Sequence, residues 1–121
     1  MAAIYSFKKR KRIDTNPDYQ RPAVWTKAQK QLLIDSILRD FDVPKIYLHE
    51  KNNDTYDVID GQQRIRAIWS FYDDEFALPK DAEPVNGYDV ANKKYSELDM
   101  DIATIIDSYN LDFVILDTQN K

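Results

Sequence analysis

The stretch "VIDGQQRIRAI", residues 58–68, decides how this chain is read. Val58 and Ile59 close a strand-like run. Ile65 and Ile68 open an apolar stripe at helical spacing that continues to Trp69 and Tyr72. Between strand and helix stand Asp60 and Gly61, the latter one of only two glycines in 121 residues. A helix start leaves its first N–H groups unpaired and carries partial positive charge. Glycine at such a junction removes the Cβ and lets an anion approach the main chain. Gln62 and Gln63 add amide donors and acceptors, and Arg64 adds a planar fork suited to phosphate oxygens. The set suits the phosphates of a nucleotide.

Two residues in this stretch need a choice. Arg64 and Arg66 lie two positions apart on a helix, so they project roughly 200° from each other. Arg64 is the one placed to reach a ligand at the helix start; Arg66 serves the surface or a second contact. Asp60 admits two readings. Its carboxylate caps the helix, or it holds a ribose hydroxyl, a magnesium ion or an attacking water. The junction is not a P-loop, because two glycines allow neither G-x-x-x-x-G-K-[ST] nor G-x-G-x-x-G.

Working outward, "KIYLHE" (45–50) and "TYDVID" (55–60) read as an antiparallel strand pair across a polar "KNND" turn. Upstream, Thr26 and Gln29 have capping-box spacing and open a helix expected from about Lys27 to Asp40. Its stripe is Ile34, Ile37, Leu38 and Phe41, and Pro44 follows its end. Before it lies an irregular loop, "NPDYQRPAVW" (16–25), in which Trp25 is expected to plug the core. Downstream the pattern weakens from Phe76 to Tyr95, with a small hairpin expected at Asn86-Gly87. Ser96 and Asp99 are candidate caps for a last helix with Ile102, Ile105, Ile106 and Tyr109 on its stripe. "LDFVILD" (111–117) alternates like a strand. The order of elements is that of a small mixed α+β domain. It is expected over residues 14–121, behind a basic arm at 1–13. The chain ends four residues after the last strand, which reads as a domain truncated at its C-terminal end.

Composition narrows the function classes. Hydrophobic residues make up 43%, enough for a core. There is no cysteine, so disulfides and thiolate metal sites are excluded. The lone His49, read as a surface residue at a strand end, cannot assemble a nuclease metal site. No apolar run approaches the ~20 residues of a membrane span, and a cytoplasmic protein is expected. Net charge is −4 but uneven: residues 1–72 carry 13 Lys/Arg against 9 Asp/Glu, and residues 73–121 carry 4 against 12. The basic excess centres on Lys8, Lys9, Arg10, Lys11 and Arg12. That run suits DNA phosphates or a solvated arm, and the acidic second half argues against a surface that wraps duplex DNA.

The motif "DGQQR" (60–64), between apolar strand residues and a helix, resembles the signature of the GmrSD-type N-terminal domain family. "YQRPAVWTKAQKQLLIDSIL" (19–38) is similar to that family's first block, and "VPKIYL" (43–48) to the strand after it. "YSELDMDIATIIDSYNLDFVIL" (95–116) is similar to a later helix and strand. The likeness runs from about Asp14 to Leu116, in matching order. It implies a ParB/sulfiredoxin-like fold and a bacterial or phage-defence protein. It further implies nucleoside triphosphate binding, with hydrolysis in some members, and DNA cutting by a separate HNH-type nuclease domain or subunit; a functional Asp60 beside phosphates would in turn call for Mg²⁺ or a sugar contact.

By this resemblance Asp60, Gly61, Gln62, Gln63 and Arg64 form the nucleotide site, with Asp60, Gln63 and Arg64 as its catalytic groups. Tyr19, Gln20 and Arg21 complete it from the first loop. "RIRA" (64–67) is similar to the arginine-rich nucleotide box of ParB proteins. A DNA-binding ParB-like module without turnover, and an interaction domain with a decayed site, are the other readings. Which base is bound, and the oligomeric state, are left open by the sequence.

Overall fold

In a computed structural model, which describes Tyr5, residues 13–14, 25–51 and 55–117, Thr26 opens helix α1 (Lys27–Leu38). The Thr26 hydroxyl accepts the Gln29 amide, and the Gln29 side chain accepts the Thr26 amide, so the capping box forms as its spacing predicts. Leu33, Ile34, Ile37 and Leu38 bury one face of α1. The helix stops two residues short of Asp40, which has a left-handed φ of 60°. Phe41 therefore leaves the apolar stripe and is 59% exposed. The expectation that it packs in the core is wrong because the helical phase has ended before it.

The sheet is mixed, with strand order β1-β3-β2-β4. Here β1 is Ile13–Asp14, β2 Ile46–Glu50, β3 Tyr56–Asp60 and β4 Phe113–Asp117. β2 and β3 form the antiparallel pair, β1 lies parallel to β3, and β4 lies parallel to β2. The pairing of Tyr47 with Asp60 and of Leu48 with Val58 leaves Ile59 as an extra residue. This bulge bends β3 at its last step, directly before Gly61.

Helix α2 (Gln62–Tyr72) starts immediately beyond Gly61 and is buried on two sides. Ile65 and Trp69 pack on Ile46, Leu48 and Val58 of the sheet. Ala67, Ile68 and Phe71 join Leu33, Ile34, Ile37 and Leu38 of α1 and Ile102 and Ile106 of helix α3 (Met100–Ser108). Trp69 is a core residue, as its place on the stripe predicts. The helix that carries the glutamines and Arg64 is thus clamped between sheet and helices, which fixes where its first turn points.

Phe76, Leu78, Val85 and Val90 also enter the core, although the sequence there shows no period. Val85 and Tyr88 exchange main-chain hydrogen bonds of 3.0 and 2.9 Å around Asn86 and Gly87, both at positive φ, which is the small hairpin expected. Asp99 caps α3 through the Asp101 amide. Ser96 does not cap it; it lies in a short 3-10 turn (Tyr95–Glu97), and its amide donates to Asp74. The fold is α+β, as the order of elements predicts. Among the described residues no helix is long and apolar enough to cross a membrane.

Candidate functional site at the start of the second helix

Gly61 is the N-cap of α2, with φ 108° and ψ 15°. A side chain rarely adopts that backbone. The space a Cβ would fill is taken: it would lie 3.0 Å from Ile46 Cγ1 and 3.1 Å from Arg64 Nη2. The glycine is therefore required by the sharp strand-to-helix turn and by close packing on Ile46. The expected reason, an open approach for an anion at the glycine itself, is not what the geometry gives.

Among the described residues no side chain caps α2. Asp60 stands one residue before the cap, so the capping reading of its carboxylate falls. Its side chain is 70% exposed, and Oδ2 lies 3.8 Å from Arg64 Nη2. At that distance and exposure the ion pair is weak. The bulge at Ile59 and the turn at Gly61 leave this carboxylate facing solvent at the helix start.

Gln62 turns back along the chain; its Nε2 donates to the carbonyl oxygens of Val58 and Ile59 at 3.1 and 3.2 Å. It stitches the bulged end of β3 to the first turn. Gln63 Oε1 accepts the Trp25 main-chain amide at 3.3 Å, while its Nε2 is buried with no hydrogen-bond partner. Arg64 folds over the helix start and donates from Nη2 to the Lys45 carbonyl oxygen at 2.8 Å. Its Nε is likewise buried without a partner. Two neighbouring residues in the first turn of α2 thus each hold a buried donor with no acceptor.

Arg64 also borders a cleft of about 340 Å³ between α1 and the segment 42–44, with Trp25, Leu32, Leu33 and Val43 among its walls. Trp25 is half-buried and packs partly against the core, so it is less a plug than one wall of this cleft. Sequence periodicity gives α1 a buried stripe but says nothing of what faces its flank. For that reason neither this cleft nor the Lys45 carbonyl was legible from the sequence.

Tyr19, Gln20 and Arg21, and the run Lys8, Lys9, Arg10, Lys11 and Arg12, lie outside the described residues. Arg66 is half-buried on the flank of α2. His49, expected at the surface, is half-buried within β2 and its Nε2 is enclosed without a partner. The strand forms where expected, at Ile46–Glu50, but His49 pairs with the buried Asp57 of β3 and is covered on the face opposite Ile46 and Leu48.

A second cluster is structural. Tyr72 and Tyr95 both donate to Asp107, at 2.8 and 2.9 Å. Burial, with that bond second, pushes the Tyr95 phenol up to about 12 and raises Tyr72 further. Tyr5 stacks on Tyr72 and donates to Asp73. This network ties α2 to α3 away from the helix start.

No curated protein and no solved structure matches the chain. One family model does, that of the GmrSD restriction endonuclease N-terminal domain, over residues 2–121. The motif at the strand-to-helix turn, the bulge before it and the helix order all lie within that match. The chain is a restriction-system module, and it belongs to the family of GmrSD restriction endonuclease N-terminal domains.

Proposed function

We propose that the first turn of α2 binds the phosphates of a nucleoside triphosphate. One observation carries this reading: the buried donors Gln63 Nε2 and Arg64 Nε, on successive residues of the first turn of α2, have no acceptor. Leaving a buried donor unsatisfied costs about 1–3 kcal/mol. Proteins satisfy such groups almost everywhere, and an exception calls for an explanation such as a bound water, a bound ion or a role in function. Phosphate oxygens would accept from both side chains, and the helix start adds partial positive charge. Tyr19, Gln20 and Arg21 are proposed to complete the site, as the family resemblance implies.

Hydrolysis is the second part of the proposal. An attacking water would be oriented by Asp60 or Gln63, and Arg64 would offset charge on the phosphates. The Asp60 carboxylate is exposed and only loosely paired, which fits the one or two carboxylates that a phosphate-bound Mg²⁺ takes. When bound, Mg²⁺ would supply further charge neutralisation. DNA would be cut elsewhere, by an HNH-type nuclease domain or subunit of the parent protein, with nucleotide binding here as its regulator.

The test is calorimetric titration of the full chain with each of the four ribonucleoside triphosphates, with and without Mg²⁺. Binding of at least one is expected, and Arg64→Ala should abolish it while circular dichroism shows a folded protein. Unchanged affinity in the folded variant rejects the assignment.

A further inference from the structure

We propose that the cleft between α1 and segment 42–44 holds the base of the nucleotide, with Trp25 as one wall. The inference rests on the phosphate reading above and adds where the rest of the ligand lies. Arg64 supplies the link. Its Nη2 lies close over Gly61 at the helix start, and the same side chain borders the cleft. A ligand whose anionic end meets Arg64 therefore has its other end within reach of the cleft.

The lining suits a flat, weakly polar group. Trp25, Leu32, Leu33, Val43 and Pro44 are its apolar lining, and Ser36 and Asp42 are among its polar residues; the Ser36 hydroxyl donates to the Leu32 carbonyl at 2.9 Å and keeps its oxygen as an acceptor. At about 340 Å³ the cleft falls within the size of small-molecule sites, roughly 300–1,000 Å³. Leu32 is 66% exposed at its rim, an apolar side chain that a stacked base would cover. Charge sets the direction. Arg64 stands among the lining groups as the cation and Asp42 as the anion, so phosphates are drawn toward Arg64 and repelled by Asp42. A neutral base can donate its N–H groups to Asp42 and Ser36.

The neighbouring groove of about 400 Å³ on the other side of Leu32 does not offer this. Its arginine, Arg39, is engaged by Asp35 and by the carbonyl oxygens of Glu83 and Pro84.

The test compares nucleoside triphosphates with inorganic tripolyphosphate, both with Mg²⁺, on the full chain. The best nucleotide should bind at least about tenfold more tightly than tripolyphosphate, some 1.4 kcal/mol. Ser36→Phe, which fills the cleft, should lower nucleotide affinity to the tripolyphosphate level and leave tripolyphosphate binding unchanged. Nucleotide affinity untouched by Ser36→Phe overturns the base cleft while the phosphate reading stands. Failure of both ligands to bind overturns both. A second measurement needs no cleft-filling variant: nucleotide, but not tripolyphosphate, should quench tryptophan fluorescence, and the quenching should vanish in Trp25→Phe. Equal quenching in Trp25→Phe contradicts the proposal.

Discussion

Gln63 Oε1 accepts the main-chain amide of Trp25 at 3.3 Å, so the first turn of α2 is tied to the residue just before the cap of α1. The other end of the same amide, Nε2, is buried with no acceptor. One side chain therefore has a structural atom and an unused one, and they can be separated by substitution.

Gln63→Glu keeps an oxygen for Trp25 and replaces the unused donor with a second acceptor. Because that position is buried, the carboxylate is desolvated, and the chemical-denaturation midpoint should fall by the equivalent of about 1–3 kcal/mol. Affinity for nucleotide should fall at least about tenfold, because a carboxylate there faces phosphate. Gln63→Ala should lose both stability and affinity. Full nucleotide affinity in Gln63→Glu would show that Nε2 plays no part in binding.

The two glycines separate turn strain from crowding. Gly87 is at φ 83° with nothing within 4 Å of an added Cβ, whereas Gly61 is at φ 108° with Ile46 and Arg64 in the way. Gly87→Ala should cost about 1 kcal/mol. Gly61→Ala should cost more, about 1–3 kcal/mol for backbone strain with contact strain added. Urea denaturation of both variants checks the order, and equal losses would contradict the packing account.

The helix elements were legible where chemistry is local. The capping box at Thr26 and Gln29, the α2 stripe through Trp69, and the Asn86-Gly87 turn depend on neighbours a few residues apart, and each forms as read. Phe41 was misplaced because spacing alone cannot see Asp40 enter the left-handed region and end the helix. Phe76, Leu78, Val85 and Val90 were missed because an irregular segment buries residues without a period. Gly61 stood out as a rare residue, but its reason did not. Ile46 reaches it through the strand pairing, a contact that only the fold supplies. The cleft beside Arg64 is tertiary throughout, built from α1, segment 42–44 and α2.

Removing the α1 cap tests the entry to the site. Thr26→Ala deletes the oxygen that accepts the Gln29 amide and should cost about 1 kcal/mol, within the roughly 0.5–2 seen for such caps. Because Thr26 follows Trp25 directly, the Trp25 fluorescence spectrum should shift along with the denaturation midpoint. A cost near zero would mean that the helix end is held by packing alone.

The tyrosine pair on Asp107 sets a pH limit. Both phenols are held above their ordinary value of 10.0 in the folded chain, Tyr95 at about 12 and Tyr72 higher still, by burial first and the Asp107 bond second. The unfolded chain therefore releases these protons at lower pH than the folded one. Stability from this source is complete below pH 10 and falls as pH rises from about 10 toward 12. Denaturation midpoints at pH 8, 10 and 11 should show the decline, and Tyr95→Phe should weaken it. At pH 8 that variant should also cost about 1 kcal/mol through the lost hydrogen bond.

The most direct measurement of the central claim is heteronuclear NMR of the backbone amides during titration with a nucleoside triphosphate and Mg²⁺. Phosphates held at the start of α2 should shift the amide signals of Gln62, Gln63 and Arg64 together with the Arg64 Nε signal, and Arg64→Ala should suppress those shifts. Saturating nucleotide that leaves these signals in place while moving others would contradict the account.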